Sequence, residues 1–277
     1  MEPKTKYQRL EVVISDNVAE VILNTQYNSM DSEFFLEIGR VFREMDENPN
    51  VFVVILWSSG KVFSSGLNLK IAPQMLMGTE MDPSSSPAMQ NLFFYKGVTV
   101  WQQCITQIEE CKKPVICALH SLVLGGAVDV ATACDIRLCT KDAVFSIRET
   151  KIGLVADLGT LQRITPLVGK AFAREMAFTG GDYDSARALQ HNLVNAVYDT
   201  KDELMKSARI MAANIASNSP LVVQGTKKVL QYAETHDTKD ALNQVALWNS
   251  ALMKSEDLGE AITSFMQKKK PQFVNRL

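Results

Sequence analysis

The sequence predicts an α/β protein followed by a helical C-terminal region, and three observations carry that expectation. Residues 51–57 and 114–119 are continuous apolar runs of strand length with no polar face, so each reads as a strand buried on both sides. Up to about Asp199, strand-like and helix-like stretches alternate, as in helices packed on sheets. From Lys201 onward helical patterns follow one another with little strand signal. The expected organisation is therefore a core over residues 1–200 that carries the site, and a helical region over 201–277 suited to subunit contacts.

The elements follow in order. Residues 10–15 and 18–23 are β-prone and separated by Asp16 and Asn17, a turn pair that predicts a hairpin. Asp31 or Ser32 can cap a helix running to about Glu47, with Phe35, Ile38, Val41, Phe42 and Met45 on one face. Ser58, Ser59 and Gly60 end the first buried strand, and the stretch FSSGLN, residues 63–68, predicts a tight loop entering a helix. Residues 78–88, with Gly78, Pro83, Ser84, Ser85, Ser86 and Pro87, read as a surface loop before a long helix over 89–110. After the strand at 114–119, Gly125 and Gly126 open a helix that carries Asp129, and short strands are expected at 136–138 and 144–147. The tail reads as helices over 201–217, 219–234, 238–253 and 256–268, with Ser219 and Pro220 as a cap followed by a first-turn proline.

Composition narrows the function classes. The chain has 277 residues, 46% hydrophobic and 22% charged, in the ordinary range of a globular protein with one large domain or one domain and an appendage. A formal net charge of −2 offers no global attraction to nucleic acid. No run approaches a transmembrane span, and the first residues lack the apolar core of a signal peptide. The five cysteines are scattered without a CxxC pair, which predicts reduced thiols, and the three histidines make no metal-ligand pattern with them. There is no G-x-S-x-G elbow, no P-loop and no G-x-G-x-x-G. The final tripeptide, Asn275, Arg276 and Leu277, is similar to a relaxed Ser-Lys-Leu peroxisomal address, which predicts a peroxisome or a related organelle, the alternatives being mitochondrial or cytoplasmic.

Two features carry chemistry. The stretches Ser65-Gly66-Leu67 and Leu124-Gly125-Gly126 each follow a buried strand and each open a helix, where backbone N–H groups have no helical partner and align with the helix dipole. Two such groups aimed at one point make an oxyanion hole; the plainer alternative is a pair of tight glycine turns. Three acids also sit in apolar company: Asp129 in GGAVDVA, Glu149 after FSIR, and Asp157 in KIGLVADLGT. Asp157, flanked by Val155, Ala156 and Leu158, is expected to leave water on folding, and a carboxylate that does so must be paired, hydrogen-bonded or protonated. Each acid taken alone reads more readily as a capped or salt-bridged structural acid. Together with an oxyanion hole they suggest proton transfer at the α-carbon of a thioester, with no metal or redox cofactor required.

The strings FSSGLNLK (63–70), PVICALHSLVLGGAVDVATACDIRLCT (114–140) and FSIRETKIGLVADLGTLQRI (145–164) resemble the enoyl-CoA hydratase/isomerase (crotonase) superfamily, and the likeness extends through the tail. It implies a crotonase-like spiral of ββα units, a C-terminal helical trimerisation region whose trimers commonly pair into hexamers, and an acyl-CoA thioester as substrate, CoA being part of that substrate rather than a cofactor. It implies oxyanion donors at the N–H groups of Leu67 and Gly126, with Ser65, Gly66, Asn68 and Gly125 in the loops that meet the substrate and the Ser65 carbonyl toward the adenine. Lys70 falls where the family often has a lysine near the CoA phosphates, the alternative being a solvated lysine; Lys268 to Lys270 read as a solvated helix end.

The acids separate the branches. Hydratases of this superfamily carry two glutamates at the positions of Asp129 and Glu149, whereas dienoyl-CoA isomerases carry Asp, Glu and a further Asp, with steps of 20 (149 − 129) and 8 (157 − 149), as this chain does. The resemblance therefore implies conversion of a 3,5-dienoyl-CoA to a 2,4-dienoyl-CoA in fatty-acid β-oxidation, with Glu149 and Asp157 moving protons at carbons two and six and Asp129 supporting them. Which of the two is acid and which base stays open, and the alternative activity is that of an enoyl-CoA hydratase or a Δ3-Δ2-enoyl-CoA isomerase. Asn68 stands where an Asp is common, Ser121 where a Gly is usual, and Ala127 where a third Gly is frequent. Ser121 has fewer backbone options than glycine, which bears on the path of its loop.

Overall fold

The structure is a computed structural model and describes residues 7–71 and 86–273. The first six residues, the helix expected after the 63–68 loop, most of the 78–88 stretch and the terminal tripeptide lie outside the described residues.

Among the described residues, nine strands form two sheets: β1 (Leu10–Ser15), β2 (Val18–Leu23), β3 (Val53–Ser58), β4 (Val115–Leu119), β5 (Leu122–Leu124), β6 (Ile136–Thr140), β7 (Val144–Ser146), β8 (Tyr183–Asp184) and β9 (Ala196–Tyr198). The larger sheet has the order β1-β2-β3-β4-β6-β9, parallel except for the β1–β2 hairpin. The smaller sheet is β5-β7-β8, with β5 and β7 parallel and β7 and β8 antiparallel. Ser64 extends it through a parallel bridge to Val123. The chain therefore repeats one excursion three times: β3 to Ser64, β4 to β5, β6 to β7. These are the turns of the expected spiral. The hairpin turn falls where expected, with Asp16 and Asn17 at φ 50° and 63°, the left-handed pair that a two-residue hairpin needs.

The helices are α1 (Ser32–Glu47), α2 (Pro87–Glu110), α3 (Gly126–Ala133), α4 (Thr160–Val168), α5 (Lys170–Thr179), α6 (Ser185–Gln190), α7 (Lys201–Ala216), α8 (Pro220–Thr235), α9 (Thr238–Leu252) and α10 (Glu256–Met266). Helix α1 is capped by Asp31, whose carboxylate accepts from the Phe34 N–H. Helix α2 starts at Pro87 behind a Ser86 cap, two residues earlier than expected.

The period of two along the strands divides the core. Val54, Leu56, Val115, Cys117, Leu119 and Cys139 face the space between the two sheets. Val53, Ile55, Ile116, Ala118 and Leu138 face the opposite side. That second side is covered by α7 through Leu204, Met205, Ala208 and Ala212. Its pattern groups α7 with the tail, but its packing belongs to the core. The change in packing comes after Ala216, not at residue 200, because the large sheet needs a cover on its outer face.

Beyond α7 the contacts thin. Helix α8 is anchored by Lys227, whose ammonium lies 2.6 Å from Asp135 and 3.3 Å from the Lys113 carbonyl, and by Gln231, which donates to the Glu109 carbonyl at 2.6 Å. Helix α9 buries no residue and α10 only Ser264. All five cysteines are free thiols. Among the described residues, no helix is long and apolar enough to cross a membrane.

Ser121 lies between β4 and β5 with φ 54°, the left-handed region that glycine enters without a Cβ clash. Its carbonyl accepts from the Val144 N–H at 2.7 Å, so the strain is held in place by the small sheet. Replacing Ser121 by glycine is expected to stabilise the fold by about 1 kcal/mol, seen as a rise of about 2 °C in the thermal midpoint. A lower midpoint would mean that the serine side chain holds this turn.

Candidate active site

The two glycine loops meet. Gly66 has φ 78°, and a Cβ built on it would lie 2.5 Å from the Leu124 carbonyl oxygen, far inside contact distance. Only glycine lets the first loop come this close to the second. The approach is held by buried Ser64, whose hydroxyl donates to the Asn28 carbonyl at 2.6 Å and accepts from the Gly66 N–H at 3.1 Å. Ser64 also donates its N–H to the Leu122 carbonyl and accepts from the Leu124 N–H. Asn28, buried and at φ 45°, closes the other side: its amide donates to Ser58, Val62 and Phe63.

The seam leaves two N–H groups over. Met30 donates to the Gly66 carbonyl and accepts from the Asn68 N–H, both at 2.8 Å, so Leu67 stands between them with its own N–H unused. Gly125, at φ 54° and ψ −121°, precedes α3 and donates to the Ser146 carbonyl at 2.9 Å; Gly126 is the first helical residue. Among the described residues, neither the Leu67 nor the Gly126 N–H has a protein acceptor. The Ser65 carbonyl accepts from none of the described residues, while the Ser65 N–H is tied to the Tyr27 carbonyl. The Asn68 side chain accepts from the Lys70 N–H at 3.2 Å and so stiffens its own turn, and Lys70 is exposed.

The acids come next to this seam. A Cβ built on Gly125 would lie 3.1 Å from Oε1 of Glu149, so that carboxylate rests against the residue before Gly126. Among the described residues, Oε2 of Glu149 is buried without a hydrogen-bond partner, a free acceptor. Burial raises its carboxyl above the usual range, backbone N–H groups of Glu149 and Arg148 lower it, and the charge of Asp157 raises it. Asp129 is 1% exposed, and its Oδ1 accepts from the Thr160 N–H at the start of α4 at 2.6 Å. Burial pushes it up to about 7; the bonds to Thr160 oppose that, and the charges of Glu149 and Asp157 add to it. Asp129 thus feels the charge of both other acids, and Glu149 that of Asp157.

Asp157 departs from expectation in one respect. It was expected to leave water, but its side chain is exposed. The segment after the 3-10 turn at Glu149–Ile152 is irregular up to α4, and within it Ala156 and Leu158 turn inward while Val155 and Asp157 turn outward. Its surroundings still remove enough water to raise its carboxyl, with its own N–H working the other way. Apolar neighbours in sequence did not imply an apolar envelope. Ser64, Asn28 and Thr160 are the site residues that sequence reasoning missed, since a serine, an asparagine and a threonine in loops carry no signal until their distant partners are known.

Comparison with known proteins follows this geometry. The family described as enoyl-CoA hydratase/isomerase matches residues 13–276. A Δ3,5-Δ2,4-dienoyl-CoA isomerase of Dictyostelium discoideum, named as mitochondrial, is 47% identical over 97% of this chain and 91% of its own. Its Arabidopsis thaliana counterpart, named as peroxisomal, is 39% identical over 97% of this chain and 98% of its own. The crystal structure of an enoyl-CoA hydratase from Bacillus anthracis superimposes with a TM-score of 0.86 at 24% identity, covering 97% of this chain and 100% of its own, a likeness of fold.

The raised Asp129 carboxyl has a consequence for stability. Its folded value lies above that of the unfolded chain, so the native state holds an extra proton between about pH 4 and 7. The stability it contributes is complete below that window and is lost as pH rises through about 7. Asp129→Asn should therefore melt above the wild type at pH 8, by up to about 4 kcal/mol, with the gap closing toward pH 4. A gap independent of pH in thermal melts would contradict the raised value.

Proposed function

The chain belongs to the enoyl-CoA hydratase/isomerase family, and from that premise we propose that it is a Δ3,5-Δ2,4-dienoyl-CoA isomerase of fatty-acid β-oxidation. The observation that carries the proposal is the grouping of Asp129, Glu149 and Asp157 beside the unpaired N–H groups of Leu67 and Gly126. The sequence identity to dienoyl-CoA isomerases over nearly the whole chain supports it.

The thioester carbonyl oxygen lies between the Leu67 and Gly126 N–H groups, which stabilise the negative charge that grows there; one such donor is worth roughly 3 kcal/mol in the transition state. With the carbonyl so polarised, the unpartnered Oε2 of Glu149 takes a proton from carbon two. The electron pair moves through the conjugated system, and Asp157 gives a proton to carbon six. One C–H bond breaks and one forms, and the double bonds pass from positions 3 and 5 to positions 2 and 4. The product keeps the atoms of the substrate, with Glu149 protonated and Asp157 ionised until the pair resets. Carbons two and six are too far apart for one carboxylate to serve both, which is why a third acid separates this reaction from a single-glutamate isomerisation. Asp129, buried and pinned by Thr160, supports the pair. The Ser65 carbonyl is free to meet the adenine, Gly66, Asn68 and Gly125 shape the loops at the thioester, and Lys70 stands at the CoA phosphates.

The oligomer belongs to the same proposal. Helices α9 and α10 expose Leu242, Leu247, Ile262, Phe265 and Met266, an apolar surface that a trimer, or a pair of trimers, would cover. Sedimentation at micromolar concentration should show a species of three or six chains, and a monomer would count against it. The names of the two relatives place them in mitochondria and peroxisomes. For this chain the tripeptide Asn275, Arg276 and Leu277 favours the peroxisome, to be tested by its ability to carry a fluorescent reporter there.

Purified protein given 3,5-dienoyl-CoA is expected to produce the conjugated 2,4-dienoyl thioester, followed by ultraviolet absorbance. Hydration of 2-enoyl-CoA without dienoyl turnover would favour a hydratase instead. Asp157→Asn should reduce dienoyl isomerisation at least 100-fold, within the range general acid–base groups contribute, and leave 3-enoyl to 2-enoyl isomerisation partly intact. Glu149→Gln should abolish both. Equal loss of the two activities in Asp157→Asn would remove its separate role.

A further inference from the structure

Asp157 sits in a segment whose side chains alternate between core and solvent, Ala156 and Leu158 inward and Val155 and Asp157 outward. Between the 3-10 turn and α4 there is no regular structure, and Val155 is 75% exposed. Two consecutive carbonyls of this segment are nevertheless held from outside. The Gln102 amide donates to the Asp157 carbonyl at 2.6 Å. Arg163 Nη1 donates to the Leu158 carbonyl at 3.2 Å. The Arg163 guanidinium is itself fixed by Glu109, through Nε at 2.9 Å and Nη2 at 2.8 Å, and by the Thr106 hydroxyl at 3.0 Å. Gln102, Thr106 and Glu109 are spaced by four and three residues on α2, so they form one stripe of that helix facing the segment. The fit is close: a Cβ built on Gly159, which has φ 117°, would lie 1.9 Å from Arg163 Nη1. The next residue, Thr160, supplies the N–H that holds Asp129.

We propose that this stripe of α2 is a positioning clamp for the far-end acid, with Gln102 as its main positioning residue and Arg163 as its second jaw. The inference rests on the reading of Asp157 as the group that serves carbon six. Gln102 touches no reacting atom. It fixes the carbonyl of Asp157 itself, where the buried side chains of Ala156 and Leu158 anchor only the residues on either side, and so sets the direction in which the exposed carboxylate projects. Glu149 needs no such clamp, because its carboxylate rests against Gly125. The clamp therefore governs dienoyl isomerisation selectively and touches the 3-enoyl to 2-enoyl shift of one double bond little.

The test compares Gln102→Met, which removes the donor at similar length, and Gln102→Glu, which puts an acceptor against the carbonyl. Steady-state constants are measured with 3,5-dienoyl-CoA and with 3-enoyl-CoA. For the dienoyl substrate kcat should fall about 10- to 100-fold, the cost of an ångström-scale misplacement, with KM nearly unchanged and Gln102→Glu worse than Gln102→Met. The ratio of dienoyl to enoyl kcat should fall about tenfold or more. Glu109→Met, which frees Arg163, should give the same split if a Gln102 variant fails to fold. Amide hydrogen exchange over residues 154–160 should rise in each variant. Equal slowing of both substrates, or unchanged kcat and unchanged exchange, overturns the clamp. Absence of dienoyl turnover in the wild type, with exchange still rising in the variants, overturns the reading of Asp157 and leaves the clamp as a structural device only.

Discussion

The site depends on one close contact between backbones, that of Gly66 with the Leu124 carbonyl. Backbone N–H groups are normally taken up by sheet or helix bonds, and leaving two of them free in a buried place requires the surrounding bonds to be made elsewhere. The seam does this through Ser64 and Met30, which satisfy the groups on either side of Leu67 while Leu67 itself is passed over, and through Asn28, whose carbonyl holds the Ser64 hydroxyl. Gly126 is spared for a different reason, as the first residue of a helix. The spiral of strands brings the two loops to the same edge, and the absence of a Cβ at Gly66 lets them touch.

The acids are then arranged by degree of enclosure. Asp129 is sealed and held by Thr160; Glu149 is half-buried with one oxygen unpartnered; Asp157 is exposed on an irregular segment. All three carboxyls lie above the usual range, chiefly through lost solvation; the charge of Asp157 adds to this at Glu149, and the charges of Glu149 and Asp157 add to it at Asp129. Groups so held are closer to the pH at which a proton can be both taken and returned, and the cost is borne by the fold, which would be more stable without the buried charge. The same residues thus set chemistry and stability in opposite directions.

Much of this was legible beforehand where the signal is local. The hairpin turn at Asp16 and Asn17, the caps at Asp31 and Ser219, and the buried strands follow from patterns a few residues long. Asn28, Thr160 and Arg163 were not legible, because each acts on residues 30 to 57 positions away or through a carbonyl whose orientation the chain path decides. Helix α7 resembles its tail neighbours in pattern and differs only in what it packs against. The exposure of Asp157 is hidden for the same reason: Val155, two residues before it, turns to solvent, so local apolarity does not describe its environment.

What the sequence by itself determined is the set of parts: the strands and helices, the two glycine loops, the three acids and their intervals, and through these the family. Short-range sterics, periodicity and capping decide such features within a few residues. The tertiary structure alone decided which donors stay unpaired, which carboxylate is sealed and which is open, and that α2 reaches across to hold the Asp157 segment. Those outcomes depend on desolvation and on hydrogen-bond partners far apart along the chain, and both exist only once the two sheets have closed on each other.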